Sequence, residues 1–231
     1  MKIIFDKNVR FRIKNSYINE NLFYQKKRRI YMFGGDTLFT QRFLKGLGFY
    51  TGDLDGLFGP LTNKAVLLFE DKYDEIADRM GRFDKRSESS ITTLHPKAQE
   101  IAREFLNNIA ASGILGGTTI RIISGTRTYA EQSAIFALGR TKPGKIVTNA
   151  GPGQSNHNFG IAWDIGLFNG TDYLEDSPLY KKVGKEGKKI SSIEWGGDWS
   201  SFIDLPHYQV KSGLSLKNLR AKFEKGEPCL A

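Results

Sequence analysis

The sequence predicts an α+β protein, because segments with helical periodicity precede and flank a few short strands. Apolar residues recur at helical intervals within residues 36–73 and again after Pro96. Residues 118–123 are rich in β-branched side chains, and residues 160–165 also have the character of a strand. With 231 residues, 39% of them hydrophobic, the chain can form one large or two small domains with a packed core.

The first predicted unit is a helix, a turn and a second helix within residues 36–73. Asp36 is suited to cap the first helix. The apolar face of that helix repeats every four residues, at Phe39, Phe43 and Leu47. Residues 52–60 are rich in glycine and aspartate, which indicates turns, and Thr62 is suited to cap the second helix.

A polar segment separates this unit from the rest of the chain. Residues 74–94 are polar and charged, which indicates a linker or the fading end of the last helix of the first domain. Pro96 then suits the first turn of a strongly amphipathic helix that Gly113 ends. The apolar face of this helix comprises Ala98, Ile101, Ala102, Phe105, Leu106 and Ile109.

The second half of the chain alternates strands, loops and helices. The strand at 118–123 precedes a helix whose start is a capping box of Thr128 and Glu131. Residues 140–158 form a long loop without the Gly-Lys-Ser/Thr ending of a phosphate-binding loop, so nucleotide binding is not expected. The chain closes with residues 204–210 and a helix that carries Leu216, Leu219 and Phe223.

The net charge of +9 is concentrated at the N-terminus. Residues 1–35 contain nine Lys and Arg against two acidic residues, a net charge of +7, which leaves +2 for the remainder. Such a basic extension either binds an anionic envelope surface or is a solvated tail. Specific nucleic-acid binding is not expected, because no recognition motif accompanies the charge.

Cysteine content and hydropathy limit the class of protein. The single Cys229 cannot form an internal disulfide, so the fold does not depend on an oxidising compartment. No apolar run approaches 18 residues, which excludes a predicted membrane span. The N-terminus lacks an apolar core and cleavage site, so no signal peptide is predicted and synthesis in the cytoplasm is expected.

Two of the three histidines, together with one aspartate, form a candidate metal site. Two imidazoles and a carboxylate can hold zinc through three protein ligands and leave the fourth position open for water, as catalytic zinc sites do. His157, Asp164 and His207 are the candidates. Their spacing alone leaves open that they are ordinary hydrogen-bonded or surface residues.

The residues around these candidates resemble a known family, the zinc peptidoglycan peptidases that comprise VanY-like D-alanyl-D-alanine carboxypeptidases and L-alanyl-D-glutamate endopeptidases. The resemblance covers residues 95–211 and rests on four motifs in the same order: Ser124-Gly-Thr-Arg127-Thr-Tyr-Ala-Glu131-Gln132, Ser155-Asn-His157-Asn-Phe-Gly160-Ile-Ala162-Trp-Asp164, Glu194-Trp-Gly-Gly-Asp198-Trp199 and Asp204-Leu-Pro-His207. It implies an α+β catalytic domain with a small antiparallel sheet under helices. It also implies one zinc ion per chain, held by His157, Asp164 and His207.

The resemblance also implies roles for residues beside the metal. Family members with Glu-x-x-His place the general base three residues before the last ligand, a position that Asp204 occupies here. Glu194 is the second candidate base, and otherwise supports the site or contacts substrate. Arg127 is expected to stabilise the oxyanion or to orient the substrate carbonyl. Ser155 and Trp195 are expected to bind substrate, although packing in the core is an equal alternative for Trp195.

The N-terminal half resembles a second family. Residues 47–69, from Leu47-Gly48 through Asp55-Gly56 and Gly59-Pro60 to Phe69, are similar to the small helical peptidoglycan-binding domain. We therefore predict a basic extension at 1–35, a helical wall-binding domain at 36–85 and a zinc peptidase domain at 95–231. The alternative is a helical hairpin that packs on the catalytic domain.

Together these features predict a modular peptidoglycan hydrolase of the phage endolysin type. The motifs look most like those of enzymes that cleave the L-alanyl-D-glutamate bond of the stem peptide. A D-alanyl-D-alanine carboxypeptidase is the nearest alternative, and a non-catalytic wall-binding protein is the alternative of another class. Without a signal peptide, the enzyme is expected to remain in the host cytoplasm as a monomer until a pore releases it to the wall.

Overall fold

A computed structural model describes residues 32–230, which form seven α-helices and a five-stranded sheet. The helices are Thr37–Gly46 (α1), Pro60–Met80 (α2), Lys85–Ile91 (α3), Pro96–Ser112 (α4), Tyr129–Ala137 (α5), Leu179–Gly187 (α6) and Leu216–Lys225 (α7). The strands are Thr119–Ser124 (β1), Ala162–Asn169 (β2), Asp172–Tyr173 (β3), Ile193–Trp195 (β4) and His207–Val210 (β5). The predicted α+β class is confirmed. No helix in the described part of the chain has the length and apolar character to cross a membrane.

The sheet is small and antiparallel, as the family resemblance implied. Its order is β1-β2-β5-β4, and β3 pairs with the end of β2. Because β2 lies between β1 and β5, Asp164 has neighbours on both sides. It is opposite Ser124 of β1 and opposite His207 of β5.

Helix α4 covers one face of the sheet with the apolar stripe that the sequence predicts. Phe105 of this helix packs against Trp163 and Tyr208, with ring centroids 6.3 and 4.6 Å away. All three side chains are fully buried. The pairing of β2 with β5 places Trp163 next to Tyr208, so the helix rests on the two strands that carry Asp164 and His207.

Residues 74–94 are mostly helical rather than a linker. α2 continues to Met80, and α3 packs against β1. The hydroxyl of Ser87 accepts a hydrogen bond from the backbone N–H of Ile122 at 3.0 Å. Glu88 forms an ion pair at 2.8 Å with the fully buried Arg103 of α4. The polar composition of this segment therefore reflects hydrogen bonds between elements, which a local pattern cannot distinguish from solvation.

The N-terminal helices share one hydrophobic core with the sheet. α1 packs against α7 and α2 against α4, and Phe39 contacts Phe223 at 4.9 Å between ring centroids. The described residues thus do not show a separate all-α domain, and the boundaries at 36–85 and 95–231 stay predictions. Most of the basic extension at 1–35 lies outside the described residues. Its last four residues form a 3-10 turn with Phe33 buried in the core.

Candidate metal centre

One turn and two neighbouring strands bring His157, Asp164 and His207 together. His157 lies in a 3-10 turn, Asn156–Phe159, that ends two residues before β2. The hydroxyl of Ser155 caps this turn by accepting a hydrogen bond from the N–H of His157 at 3.4 Å. Asp164 follows on β2, and the sheet register pairs it with His207 at the start of β5. His157 and His207, 50 positions apart in the sequence, therefore meet beside the two central strands of the sheet.

Gly160 allows the turn to lead into β2. Its φ of +70° lies in the left-handed region, and a Cβ at this position would lie only 2.5 Å from a ring carbon of Phe43. Its carbonyl oxygen accepts a hydrogen bond from the backbone N–H of His95 at 2.9 Å. Phe43 of α1 and His95, which precedes α4, thus fix the turn that carries His157.

Each of the three side chains directs one candidate ligand atom toward the other two. His157 Nε2 lies 3.2 Å from Asp164 Oδ1 and 3.2 Å from His207 Nδ1. His207 Nδ1 lies 3.1 Å from Asp164 Oδ1. Both histidines are buried, and Asp164 is partly open to the cleft. The cluster is therefore shielded on the protein side and accessible on the other.

The outer nitrogens of both rings already have partners. His157 Nδ1 donates to the carbonyl oxygen of Gly125 at 2.7 Å, and His207 Nε2 donates to Oε1 of Gln209 at 3.0 Å. With the hydrogens on the outer nitrogens, the three inner atoms present lone pairs, which repel unless a proton or a metal ion lies between them. Tetrahedral zinc with ligand bonds of ~2.0–2.1 Å needs ligand atoms about 3.3 Å apart. The donor types and their spacing therefore suit a divalent metal such as zinc.

The electrostatics of the cluster also favour a bound cation. Burial raises the pKa of Asp164, but the charge and hydrogen bond of His157 and the hydrogen bond of His207 outweigh burial and hold that pKa well below its usual value. Burial lowers the pKa of His157. Burial also lowers the pKa of His207, but the hydrogen bond and charge of Asp164 prevail and raise it overall. The cluster thus keeps the carboxylate of Asp164 ionised between the two imidazoles.

Arg127 and Asp204 face the same cleft as the cluster. One guanidinium nitrogen of Arg127 donates to Asp164 Oδ2 at 3.1 Å, and the other donates to Oε1 of Gln132 at 3.1 Å. Asp204 begins a tight turn in which its carbonyl oxygen accepts from the N–H of His207 at 3.2 Å. Gly196 leaves room for this turn, since an added Cβ would lie 3.1 Å from the Cβ atoms of both Asp204 and His207.

The cluster opens into a cleft of about 470 Å³. Its polar lining includes Arg127, Asn149, Ser155, Asn156, Asp204 and Gln209, beside the three candidate ligands. Val147, Tyr173 and Phe202 supply an exposed apolar rim. The open cluster of three candidate metal ligands, the positive charge of Arg127 and the carboxylate of Asp204 can together support metal-assisted hydrolysis of a peptide bond.

The structure does not bring Glu194 and Trp195 to this cleft. Glu194 Oε1 accepts a hydrogen bond from the indole N–H of Trp199 at 3.1 Å, so it supports a residue of the cleft wall. Trp195 is 5% exposed, packs beside Tyr208 and donates its indole N–H to the carbonyl oxygen of Leu205. Of the residues predicted beside the metal, Asp204, Arg127 and Ser155 line the cleft, and Trp195 lies in the core.

Three polar residues around the site received no role in the sequence analysis. Gln132 is fully buried and links Arg127 to the carbonyl oxygen of Ala150, to which its amide donates at 2.7 Å. Gln209 and Asn156 lie behind His207. Side chains alternate along β5, so the sequence alone could have predicted that Gln209 shares a face with His207.

Comparison with known proteins supports this chemistry. Residues 148–210, which include all three candidate ligands, match a family model described as D-alanyl-D-alanine carboxypeptidase. The chain is 34% identical over 134 residues to the peptidoglycan L-alanyl-D-glutamate endopeptidase CwlK of Bacillus subtilis (strain 168). That alignment covers 51% of this chain and 73% of CwlK.

Two solved structures are also similar. The L-Ala D-Glu endopeptidase ChiX of Serratia marcescens is 21% identical, with a TM-score of 0.41 over 56% of this chain and 90% of ChiX. The zinc complex of the D,D-pentapeptidase VanY (E175A mutant) from a VanB-type resistance cassette is 17% identical, with a TM-score of 0.36 over 56% of this chain and 79% of VanY. From the match to CwlK and to the family model, the chain belongs to the M15-type family of zinc peptidases and is a peptidoglycan metallopeptidase.

Proposed function

We propose that the protein is a zinc-dependent endopeptidase that cleaves the L-alanyl-D-glutamate bond of peptidoglycan stem peptides. The observation that carries this proposal is the cluster of His157, Asp164 and His207, whose inner atoms lie 3.1–3.2 Å apart and open into a cleft. The choice of bond follows the similarity to CwlK, whose name gives that activity. One zinc ion per chain is expected.

Each side chain around the cluster would have a different role in hydrolysis. Zinc, when bound, would lower the pKa of water to ~7 and polarise the scissile carbonyl. Asp204 would take the proton from the attacking water and return it to the leaving amine. Arg127, held by Asp164 and Gln132, would stabilise the negative charge that develops on the carbonyl oxygen. Ser155, which lines the cleft and caps the turn of His157, would contact the substrate.

A D-alanyl-D-alanine carboxypeptidase is the second candidate. The description of the matching family model favours it, and the chemistry at the metal would be the same. The two activities differ only in which peptide bond lies across the cluster, and therefore in their products. An endopeptidase releases a new amino terminus on D-glutamate, whereas a carboxypeptidase releases free D-alanine.

Digestion of purified peptidoglycan, followed by mass spectrometry of the products, tests the proposal. We expect the wild type to cleave between L-Ala and D-Glu, and both a zinc chelator and Asp204→Ala to abolish that product. Asp198→Ala is the matched control, because Asp198 is exposed and pairs with Lys188 rather than facing the cleft. Release of D-alanine would establish the carboxypeptidase instead. A wild type that yields neither product would leave a wall-binding protein.

We also propose that the protein acts as a phage endolysin that binds the wall through residues 36–85. The similarity of residues 47–69 to peptidoglycan-binding domains supports this, as does an exposed apolar patch formed by Leu57, Phe58 and Leu61. Co-sedimentation of the full chain with purified sacculi tests it. Replacing Phe58 and Leu61 by serine should remove most of the bound protein, whereas Leu216→Ser, at an exposed leucine of α7, should not. Equal binding of all three proteins would contradict wall binding by this patch.

The site of action follows from the same proposal. The enzyme would accumulate in the host cytoplasm as a monomer and reach the wall when a pore opens. Expression in a host with and without a pore-forming protein tests this sequence of events. We expect lysis only when both proteins are present, and lysis by the enzyme alone would contradict the need for a pore.

A further inference from the structure

The outer nitrogens of the two imidazoles donate hydrogen bonds to different kinds of acceptor. His157 donates to a backbone carbonyl, that of Gly125. His207 instead donates to a side chain, and its Nε2 lies 3.0 Å from Oε1 of Gln209. Gln209 is two residues further along β5, so both side chains lie on the same face of the strand. Unlike a backbone carbonyl, a glutamine side chain orients a ligand only if it is itself fixed.

Gln209 is fixed from three directions. Its backbone pairs with Ala162 of β2 and with Glu194 of β4, and its side chain is almost completely buried. Its Oε1 accepts a second hydrogen bond, from the side-chain amide of Asn156 at 2.6 Å. Asn156 directly precedes His157. The bond between Asn156 and Gln209 therefore ties the turn that carries one candidate ligand to the strand that carries another.

We infer that Gln209 is a positioning residue of the metal centre, which keeps the hydrogen of His207 on Nε2 and leaves Nδ1 free to bind metal. A neutral imidazole carries one hydrogen, and an acceptor at one nitrogen selects the tautomer and fixes the plane of the ring. Loss of such a partner typically lowers metal affinity about 10–100-fold. The inference rests on the proposed function, because it assumes that the cluster binds a metal ion.

Zinc binding by the full-length, metal-free protein tests the inference without any activity assay. Affinity for Zn²⁺ is measured by competition with a chromophoric chelator. Gln209→Met keeps the size of the side chain but removes the acceptor, and should weaken Zn²⁺ binding about 10–100-fold. Gln209→Glu keeps an acceptor, because an ionised carboxylate only accepts, and should bind within about threefold of wild type. Gln154→Met is the matched control, because Gln154 is exposed and outside the cleft lining.

The possible outcomes separate this inference from the proposed function. A wild type that does not bind Zn²⁺ would overturn the metal-dependent function itself. If wild type binds and Gln209→Met binds equally well, or if Gln209→Glu is as weak as Gln209→Met, the positioning role is wrong. The visible absorption of the Co²⁺ form should change in Gln209→Met and stay unchanged in Gln154→Met, because only the former alters the geometry of a ligand.

A second variant keeps the test valid if Gln209→Met does not fold. Thermal unfolding of the metal-free proteins shows whether the fold survives. Asn156→Ser leaves Gln209 in place and removes only the hydrogen bond that orients it. We expect weaker Zn²⁺ binding with an unchanged unfolding midpoint of the metal-free protein. Wild-type affinity in Asn156→Ser would contradict the role of the bond between Asn156 and Gln209.

Discussion

Asp204 combines partial burial with a neighbouring negative charge. Burial raises the pKa of its carboxyl group, and the charge of Asp164 raises that pKa further, while His207 and Arg127 oppose the change. A carboxyl group whose pKa lies closer to neutral pH accepts and releases a proton more readily during a reaction. The position that family resemblance assigns to the general base therefore also carries a carboxyl group with a raised pKa.

Replacing Asp204 by asparagine should lower kcat about 10²–10⁴-fold, because the amide cannot accept the proton of the attacking water. In the wild type the base must be ionised, so kcat/KM should fall as the pH decreases through the pKa of Asp204. Since that pKa is raised, the fall should begin at a higher pH than for an exposed aspartate with a pKa of 3.8. Rates measured across pH for wild type, Asp204→Asn and Asp204→Glu check this. An acidic limb that persists unchanged in Asp204→Asn would assign it to another group.

Binding of Zn²⁺ should stabilise the fold, because the three inner ligand atoms meet only in the folded chain. At a free metal concentration 1,000 times the Kd, the gain is about 4 kcal/mol in the free energy of unfolding. Thermal unfolding with added Zn²⁺ and with a chelator measures it. His157→Ala should remove most of the rise in the unfolding midpoint that Zn²⁺ causes. His95→Ala should retain that rise, since His95 lies outside the cluster. A shift of equal size in His157→Ala would mean that the ion binds elsewhere.

For individual residues, the sequence predicted which side chains would form the cluster but not how those side chains are oriented. His157, Asp164 and His207 stand in motifs that resemble those of a known family, so their identity was accessible. The nitrogen that each ring directs inward depends on partners elsewhere: Gly125, 32 residues before His157, and Gln209 on β5. Gln132 ends one of the quoted motifs but received no role from the sequence, because that role depends on contacts with both Arg127 and Ala150.

The pairing of β2 with β5 determines whether the site exists. Successive residues of a strand point to opposite faces, so a register shifted by one residue would direct Asp164 and His207 to opposite sides of the sheet. The observed register is supported on the other face, where Trp163 stacks on Tyr208 under Phe105. Packing in the core and geometry at the metal centre are therefore two consequences of one alignment.

The contact between α3 and α4 depends on a buried charge. Arg103 is fully buried and pairs with Glu88, which also accepts hydrogen bonds from the hydroxyl of Tyr73 and the backbone N–H of Phe83. Burial raises the pKa of Glu88, but the hydrogen bonds from Arg103 and Tyr73 outweigh burial and lower it overall. The carboxylate is therefore ionised and depends on its partners.

Arg103→Met should lower the free energy of unfolding by about 3–5 kcal/mol, since it leaves Glu88 without its cationic partner. Arg79→Met is the matched control, because Arg79 of α2 forms an exposed ion pair with Glu100 of α4, the helix that also carries Arg103. Removing an exposed pair changes stability by about 0–1 kcal/mol. Urea unfolding of both variants measures the difference. Equal destabilisation would show that burial of the arginine does not matter.

Over the whole molecule, the helical hairpin near the N-terminus is part of the support for the metal centre. Local periodicity predicted its helices well, but it could not indicate what they pack against. In the structure, Phe43 of α1 contacts Gly160 beside the turn of His157, and Phe39 meets Phe223 of α7. Aromatic contacts of this kind form between residues far apart in sequence, so a motif that resembles an independent domain does not reveal them.

This continuous core predicts that the described part of the chain unfolds as one cooperative unit. All three tryptophans lie between residues 163 and 199, so their fluorescence reports on the sheet and not on α1. Phe43→Ala should lower stability by about 3–5 kcal/mol, and the tryptophan transition should shift together with the calorimetric one. Phe58→Ala, at an exposed phenylalanine, should change stability by about 0.5 kcal/mol or less. Two separate transitions, with only the first shifted by Phe43→Ala, would instead support an independent domain at residues 36–85. The coupling expected here would make the hairpin a structural requirement for zinc binding, whether or not it also binds the wall.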